Sequence, residues 1–285
     1  MLRGAGAAAG LALLLAQAAP ATAGPAPAAP ERVVSMNLCT DALAIALLPE
    51  ERLASVTWMA QDPASSPVAD QAARFPANHG LAEEVIRFDP DLVLAGRYTT
   101  RAATRFLRSA GRDVYVAGVP STLAEMRDEI IRLAAALGQS AEGRAMLRVI
   151  EARLDALPPR PAHPPTVLVL SPNGFTVGPG SLVDEIITRA GFENLAGRLG
   201  LEAYDTIPLE TAILAGADVL IIDAPEGRPP ALATRALHHP ALRRLGRKIE
   251  IIPLPSRLWT CAGPGVAEAA ERLSRAAARI AAAAP

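Results

Sequence analysis

The stretch Glu83-Glu84-Val85-Ile86-Arg87-Phe88-Asp89-Pro90-Asp91-Leu92-Val93-Leu94 is echoed in the second half of the chain by Glu210-Thr211-Ala212-Ile213-Leu214-Ala215-Gly216-Ala217-Asp218-Val219-Leu220-Ile221. In both, a glutamate opens a short helical segment, and an aspartate then precedes an apolar run with no alternation of polar residues. Such a run is a strand buried on both faces, the kind found in parallel sheets covered by helices. A glutamate at a helix N-terminus is favoured by the helix dipole. That explains the stability of each helix, but not the recurrence of the arrangement at matching places in two halves.

Working outward, strands are expected over 32–36, 52–58, 90–96 and 113–117, with helices over 40–48, 83–88 and 100–110, the last stopped by Gly111. Helical patterns over 121–137, capped by Ser121 or Thr122 and ended by Gly138, and over 141–157 form a long helical middle. The proline-rich segment 158–165 breaks it. Strands at 166–170, 218–223 and 249–253, with helices at 181–190 and 210–215, then restart the alternation, and an amphipathic helix over 266–284 closes it. The fold class expected is α/β: two parallel-sheet lobes joined by a long helix, with a ligand crevice between them. The expected organisation is an N-terminal lobe over 32–120, connecting helices over 121–157, the break over 158–165 and a C-terminal lobe over 166–285.

Residues 1–23 have one basic residue, Arg3, then a short apolar core and an Ala21-Thr22-Ala23 cleavage site, the pattern of a signal peptide. A Pro/Ala linker over 24–31 follows. Export to a periplasm is the expectation. The 285 residues are 51% hydrophobic and 20% charged, which suits packed lobes rather than a disordered chain. With 28 basic against 29 acidic residues there is no field to condense on nucleic acid, which is excluded as a partner.

Catalytic signatures do not assemble. There is no G-x-S-x-G elbow, and Ser181 after Gly178-Pro179-Gly180 suits a helix cap; no phosphate-binding G-x-x-x-x-G-K-[ST] occurs. His163 lies in the proline break and His238-His239 precedes Pro240, while His79, before Gly80, reads as a turn histidine without zinc-ligand spacing. The chain is expected not to be an enzyme. Cys39 and Cys261 leave three readings open: a disulfide or two thiols packed as small apolar groups, ranked equal, and, behind both, a soft-ligand pair for a metal carried by a bound molecule.

Taken with the segments Arg32-Val33-Val34-Ser35, Leu53-Ala54-Ser55-Val56-Thr57, Gly178 to Glu185 and Ala190-Gly191-Phe192-Glu193-Asn194, the repeated Glu83 and Glu210 stretches resemble the periplasmic substrate-binding proteins of ABC importers for iron chelates and cobalamin. Ala217, where proline is usual, and the two cysteines depart from the general pattern. The resemblance implies capture of a siderophore-type iron chelate or a corrinoid and its delivery to an ABC permease dimer at the inner membrane. A haem-binding protein of the same fold is the alternative, with a periplasmic enzyme of unknown reaction behind it. A monomer is expected, with no cofactor of its own, the iron or cobalt arriving with the ligand. Glu83 and Glu210 would dock to the permease.

In open α/β sheets, ligands bind outside the carboxyl ends of the strands. That rule makes Asn37, Cys39, Trp58, Arg97, Tyr98, Phe175, Tyr204, Arg257, Trp259 and Cys261 the candidate ligand-binding residues. Of the two Trp, three Tyr and five Phe in the chain, Trp58, Tyr98, Phe175, Tyr204 and Trp259 all fall in these loops, which favours a large, flat or greasy ligand. Arg97 and Arg257 are suited to pairing with ligand carboxylates.

Overall fold

A computed structural model describes Met1 and residues 29–99, 101–223 and 249–283. The expected leader, most of the linker and the His238-His239-Pro240 turn lie outside the described residues. The first lobe contains β1 (Val33–Ser35), α1 (Leu38–Leu47), β2 (Leu53–Thr57), a 3-10 turn (Trp58–Gln61), α2 (Ala69–Ala72), β3 (Ala77–Asn78), α3 (Ala82–Ile86), β4 (Leu92–Gly96), α4 (Arg101–Ser109) and β5 (Asp113–Ala117). Its sheet has the order β3-β2-β1-β4-β5 with every pair parallel. Helices α5 (Leu123–Ala136) and α6 (Ser140–Asp155) lead to β6 (Thr166–Leu170), β7 (Phe175–Val177), α7 (Leu182–Arg189), β8 (Glu193–Asn194), β9 (Tyr204–Thr206), α8 (Leu209–Leu214), β10 (Val219–Ile222), β11 (Glu250–Pro253) and α9 (Gly265–Ala283). The second lobe has a parallel sheet of order β11-β10-β6-β8.

Strand β4 shows why the sequence folds this way. All its residues are buried. Leu92 and Leu94 enter the large core, while Val93 points the other way, into a smaller cluster with Val34 and Leu107. The same alternation divides β6, with Val167 and Val169 in the large core and Leu168 and Leu170 in a cluster with Leu220 and Ile222. Each such side chain contributes roughly 1.5–3 kcal/mol of burial. The large core does not stop at the lobe boundary. It includes Leu43 and Leu47 of α1, Ile130 and Leu133 of α5, Ile150 of α6, Ile186 and Ile187 of α7, and Val266 and Leu273 of α9.

Local chemistry sets the helix ends. Thr122 accepts the N–H of Glu125, and Ser181 that of Asp184, as N-caps do. Gly111 and Gly138 take the positive φ, +77° and +69°, that stops α4 and α5. The elements missed by periodicity are the shortest ones, α2, β3 and β8, together with an antiparallel ribbon of β7 and β9 in which Phe175 pairs with Thr206 and Val177 with Tyr204. Strands of two or three residues contain too little sequence to show a period.

Cys39 and Cys261 form a disulfide, with Cα atoms 5.0 Å apart and a separation of 222 positions in sequence. The unpaired-thiol and soft-ligand readings are thereby corrected. The bond joins the first turn of α1 to the loop entering α9, so it ties one lobe to the other.

Candidate functional site

The crevice wall on the first lobe is built from the carboxyl ends of β2, β3 and β4. Trp58 follows β2 directly and is 48% exposed. Its ring stacks against the imidazole of His79, with centroids 6.4 Å apart and planes at 28°. His79 is held in turn by Glu84, which accepts its backbone N–H at 2.6 Å and faces Nδ1 at 3.2 Å. The bond from the His79 N–H is the main reason that the Glu84 carboxyl lies below its ordinary range. The turn histidine of the sequence reading thus belongs to the wall, where its neighbour Trp58 is distant in sequence.

Beneath this pair lies a buried polar layer. Asn78 donates to the carbonyls of Ser35 and Val56 and to Ser55 Oγ. Asp41, fully buried in α1, accepts both the N–H and the hydroxyl of Thr57, the residue before Trp58. Tyr98 stands beyond β4 and is 82% exposed. The turn that presents it is tight, with the Thr99 N–H bonded to the Gly96 carbonyl and the Arg97 N–H to Ala117. A Cβ at Gly96 would lie 2.5 Å from Asn37 Nδ2, so a side chain here would push the α1 cap aside. Arg97 is exposed beside Tyr98.

The opposite wall comes from the β7–β9 ribbon. Phe175 and Tyr204, on facing strands, stack with centroids 6.3 Å apart and planes at 15°. The ribbon approaches closely because residue 174 is glycine, with φ of +73° and a hypothetical Cβ only 2.6 Å from the Ile207 carbonyl oxygen. Burial, and secondarily the nearness of Tyr98, pushes the Tyr204 hydroxyl above its ordinary range. Tyr98 of the first lobe and Tyr204 of the second are thus near enough to influence each other. Beside Phe175 a cavity of about 290 Å³ opens between Ser171, Val183, Asp223, Ser256 and Trp259.

Three expected ligand residues also have partners within the protein. Asn37 caps α1, its side chain accepting the N–H groups of Cys39 and Thr40. Arg257 donates from Nε to the carbonyl of Pro63 at 3.1 Å, bridging the lobes instead of waiting for a carboxylate. Trp259 is only 3% exposed and packs in the large core, so its contribution is to the cavity wall and not to an exposed stacking surface.

Residues 33–245 match the family model described as periplasmic binding protein. The chain belongs to the periplasmic binding protein family. Among solved structures of such binding proteins, the periplasmic heme-binding protein RhuT from Roseiflexus sp. RS-1 is similar with a TM-score of 0.73 and 25% identity, covering 88% of this chain and 99% of that one. The periplasmic vitamin B12 binding protein BtuF of Vibrio cholerae shares the fold with a TM-score of 0.63 and 19% identity, over 89% of this chain and 98% of that one. A cobalamin-binding protein of Halobacterium salinarum is 29% identical over 160 residues, 53% of this chain and 42% of its own length. The match thus spans less than half of that curated relative.

On this binding-protein frame the two repeated glutamates occupy equivalent positions. Glu83 lies in the first turn of α3 and Glu210 in the first turn of α8, and both are exposed. Glu84, one residue along, turns inward to His79 and is not equivalent to its neighbour.

Proposed function

We propose that this chain is the solute-binding component of an ABC importer, exported to the periplasm, and that it carries a metal-bearing ring macrocycle, a corrinoid or a haem, between its lobes. The observation that supports this most directly is the set of exposed rings beyond the strand ends, Trp58 and Tyr98 from one lobe and Phe175 and Tyr204 from the other. Aromatic faces left in water at a crevice gain most from a flat, conjugated partner that stacks on both sides. His79, Tyr98 and Tyr204 would be the side chains available as donors to such a ring's metal, and Arg97 suits carboxylates on its rim. The cobalamin, vitamin B12 and haem named for the relatives agree with this ligand class. Delivery would use Glu83 and Glu210 as paired contacts to a permease dimer, with the binding protein acting as a monomer.

Titration of the purified protein with haemin, aquocobalamin and a ferric siderophore, followed by absorbance and tryptophan emission, tests the ligand class. Quenching of Trp58 by a ring ligand is the expected result. Trp58→Ala and Tyr204→Ala should each weaken binding by about 1–3 kcal/mol, the loss typical of a desolvated aromatic contact. Unchanged affinity in both variants removes the two rings from the site, and binding of the siderophore alone replaces the macrocycle.

A further inference from the structure

Asp41 touches no exposed surface, yet its position gives it control over one that does. It lies in the first turn of α1, two residues from the disulfide, and its carboxylate reaches across to the end of β2. There it accepts the backbone N–H of Thr57 at 3.2 Å on each oxygen and also takes the Thr57 hydroxyl. Thr57 is the residue from which the Trp58–Gln61 turn departs. The anchoring of Trp58, and through stacking of His79, therefore depends on a buried acid on a different element. We propose that Asp41 is a positioning residue for the crevice, so that affinity for a ring ligand follows the ionisation of a side chain that never meets the ligand. This inference rests on the crevice being the ligand site.

The elements packed most closely against α1 are β1, β2, β4, the Trp58 turn and α2, of which only α2 contains an ionisable side chain, Asp70. The outer face of α1, at Leu38, Ala42 and Ala46, shares a cavity with Arg153, Arg257 and Glu268, and Cys39 is locked in the disulfide. Burial pushes the Asp41 carboxyl up from 3.8 to about 7, against the lowering pull of hydrogen bonds from Ser35 and Thr57. Charged, the group accepts the Thr57 N–H and hydroxyl as charge-assisted bonds, which are stronger than neutral ones. Protonated, one oxygen becomes a donor, the roles in the Thr57 hydroxyl bond reverse, and the bonds that remain are neutral and weaker. The ionised form thus holds the Trp58 turn more firmly, and binding should strengthen as pH rises through about 7.

Stability has the opposite sign. The folded pKa lies above the unfolded one, so the folded state binds more protons between about pH 4 and 7, and stability falls as pH rises across that window. Asp41→Asn, which mimics the neutral form, should therefore be at least as stable as the parent at pH 8 while binding less well. A merely structural role predicts that both fall together.

The test uses Trp259→Phe protein, in which Trp58 is the sole tryptophan. Without ligand, its emission should titrate with a midpoint near 7. The transition should vanish in Asp41→Asn, persist in His79→Gln, and move to higher pH in Thr57→Val, which loses the hydroxyl bond favouring the charged form. Haemin or aquocobalamin should bind about fivefold tighter at pH 8 than at pH 6, the low end of typical coupling between sites, and the ratio should fall to near one in Asp41→Asn. If Asp41→Asn does not fold, Thr57→Val decides, and an unmoved midpoint overturns the proposal. So does a transition that survives Asp41→Asn or disappears with His79. Should neither ring ligand bind at any pH, the proposed function fails, while the emission titration still judges Asp41.

Discussion

Protein carrying Cys39→Ser and Cys261→Ser together is expected to lose about 4 to 5 kcal/mol of unfolding free energy. The bond closes a loop that contains the connecting helices and every described strand but β1, its ends 222 positions apart in sequence. Cross-linking so long a stretch removes many conformations from the unfolded chain and so raises its free energy. The serine variant keeps nearly the same volume, and at two half-buried positions its hydroxyls can reach water, so native packing around Leu43 and Gly263 should survive. Urea unfolding of the oxidised parent and the double variant measures the difference. The variant should also show a steeper denaturant dependence, since its unfolded state is less compact. A shift of less than about 1 kcal/mol would mean that the bond contributes little beyond local order.

Glu83→Arg with Glu210→Arg should nearly abolish ligand delivery in a reconstituted importer, while ligand affinity and folding stay close to the parent. Both carboxylates are exposed in the first turns of short helices, where a surface charge contributes little to stability. Across an interface, however, a charge of the wrong sign costs several kcal/mol and slows encounter. Two glutamates, one per lobe, match a partner made of two subunits, so each single reversal should lower transport partly and the pair far more. Glu84→Gln is a control of a different kind: it should disturb the seating of His79 and hence affinity, leaving docking intact. Normal uptake by the double reversal would refute the docking assignment and leave the two glutamates as helix-end charges.

The parallel sheets were legible because their evidence is local. An apolar run such as Leu92 to Leu94 cannot lie anywhere but inside, and caps such as Ser181 depend on neighbours three residues away. The crevice was only half legible. Trp58, Tyr98, Phe175 and Tyr204 could be placed at strand ends, but the β7–β9 pairing that brings Phe175 onto Tyr204 depends on strands of three residues. Trp259 lines the cavity beside Phe175, but its depth was not legible, because a loop position says nothing about depth and the core reaches into that loop. Asp41 gave no signal at all. An aspartate early in a helix is favoured by the dipole whether or not it is buried, and only its contact with Thr57 shows what it holds.

The core shared by both lobes, with the bond between Cys39 and Cys261, also bears on traffic at the membrane. Lobes packed into one interior and tied a second time cannot swing far apart, so empty and loaded molecules should present almost the same outline and the same two glutamates. A permease that reads those glutamates would admit both. Empty protein then competes with loaded protein for the same seat, and the rate of import is set by the fraction of the population that is filled as well as by the amount of ligand outside. Raising the expression of such a protein beyond its ligand supply should slow uptake.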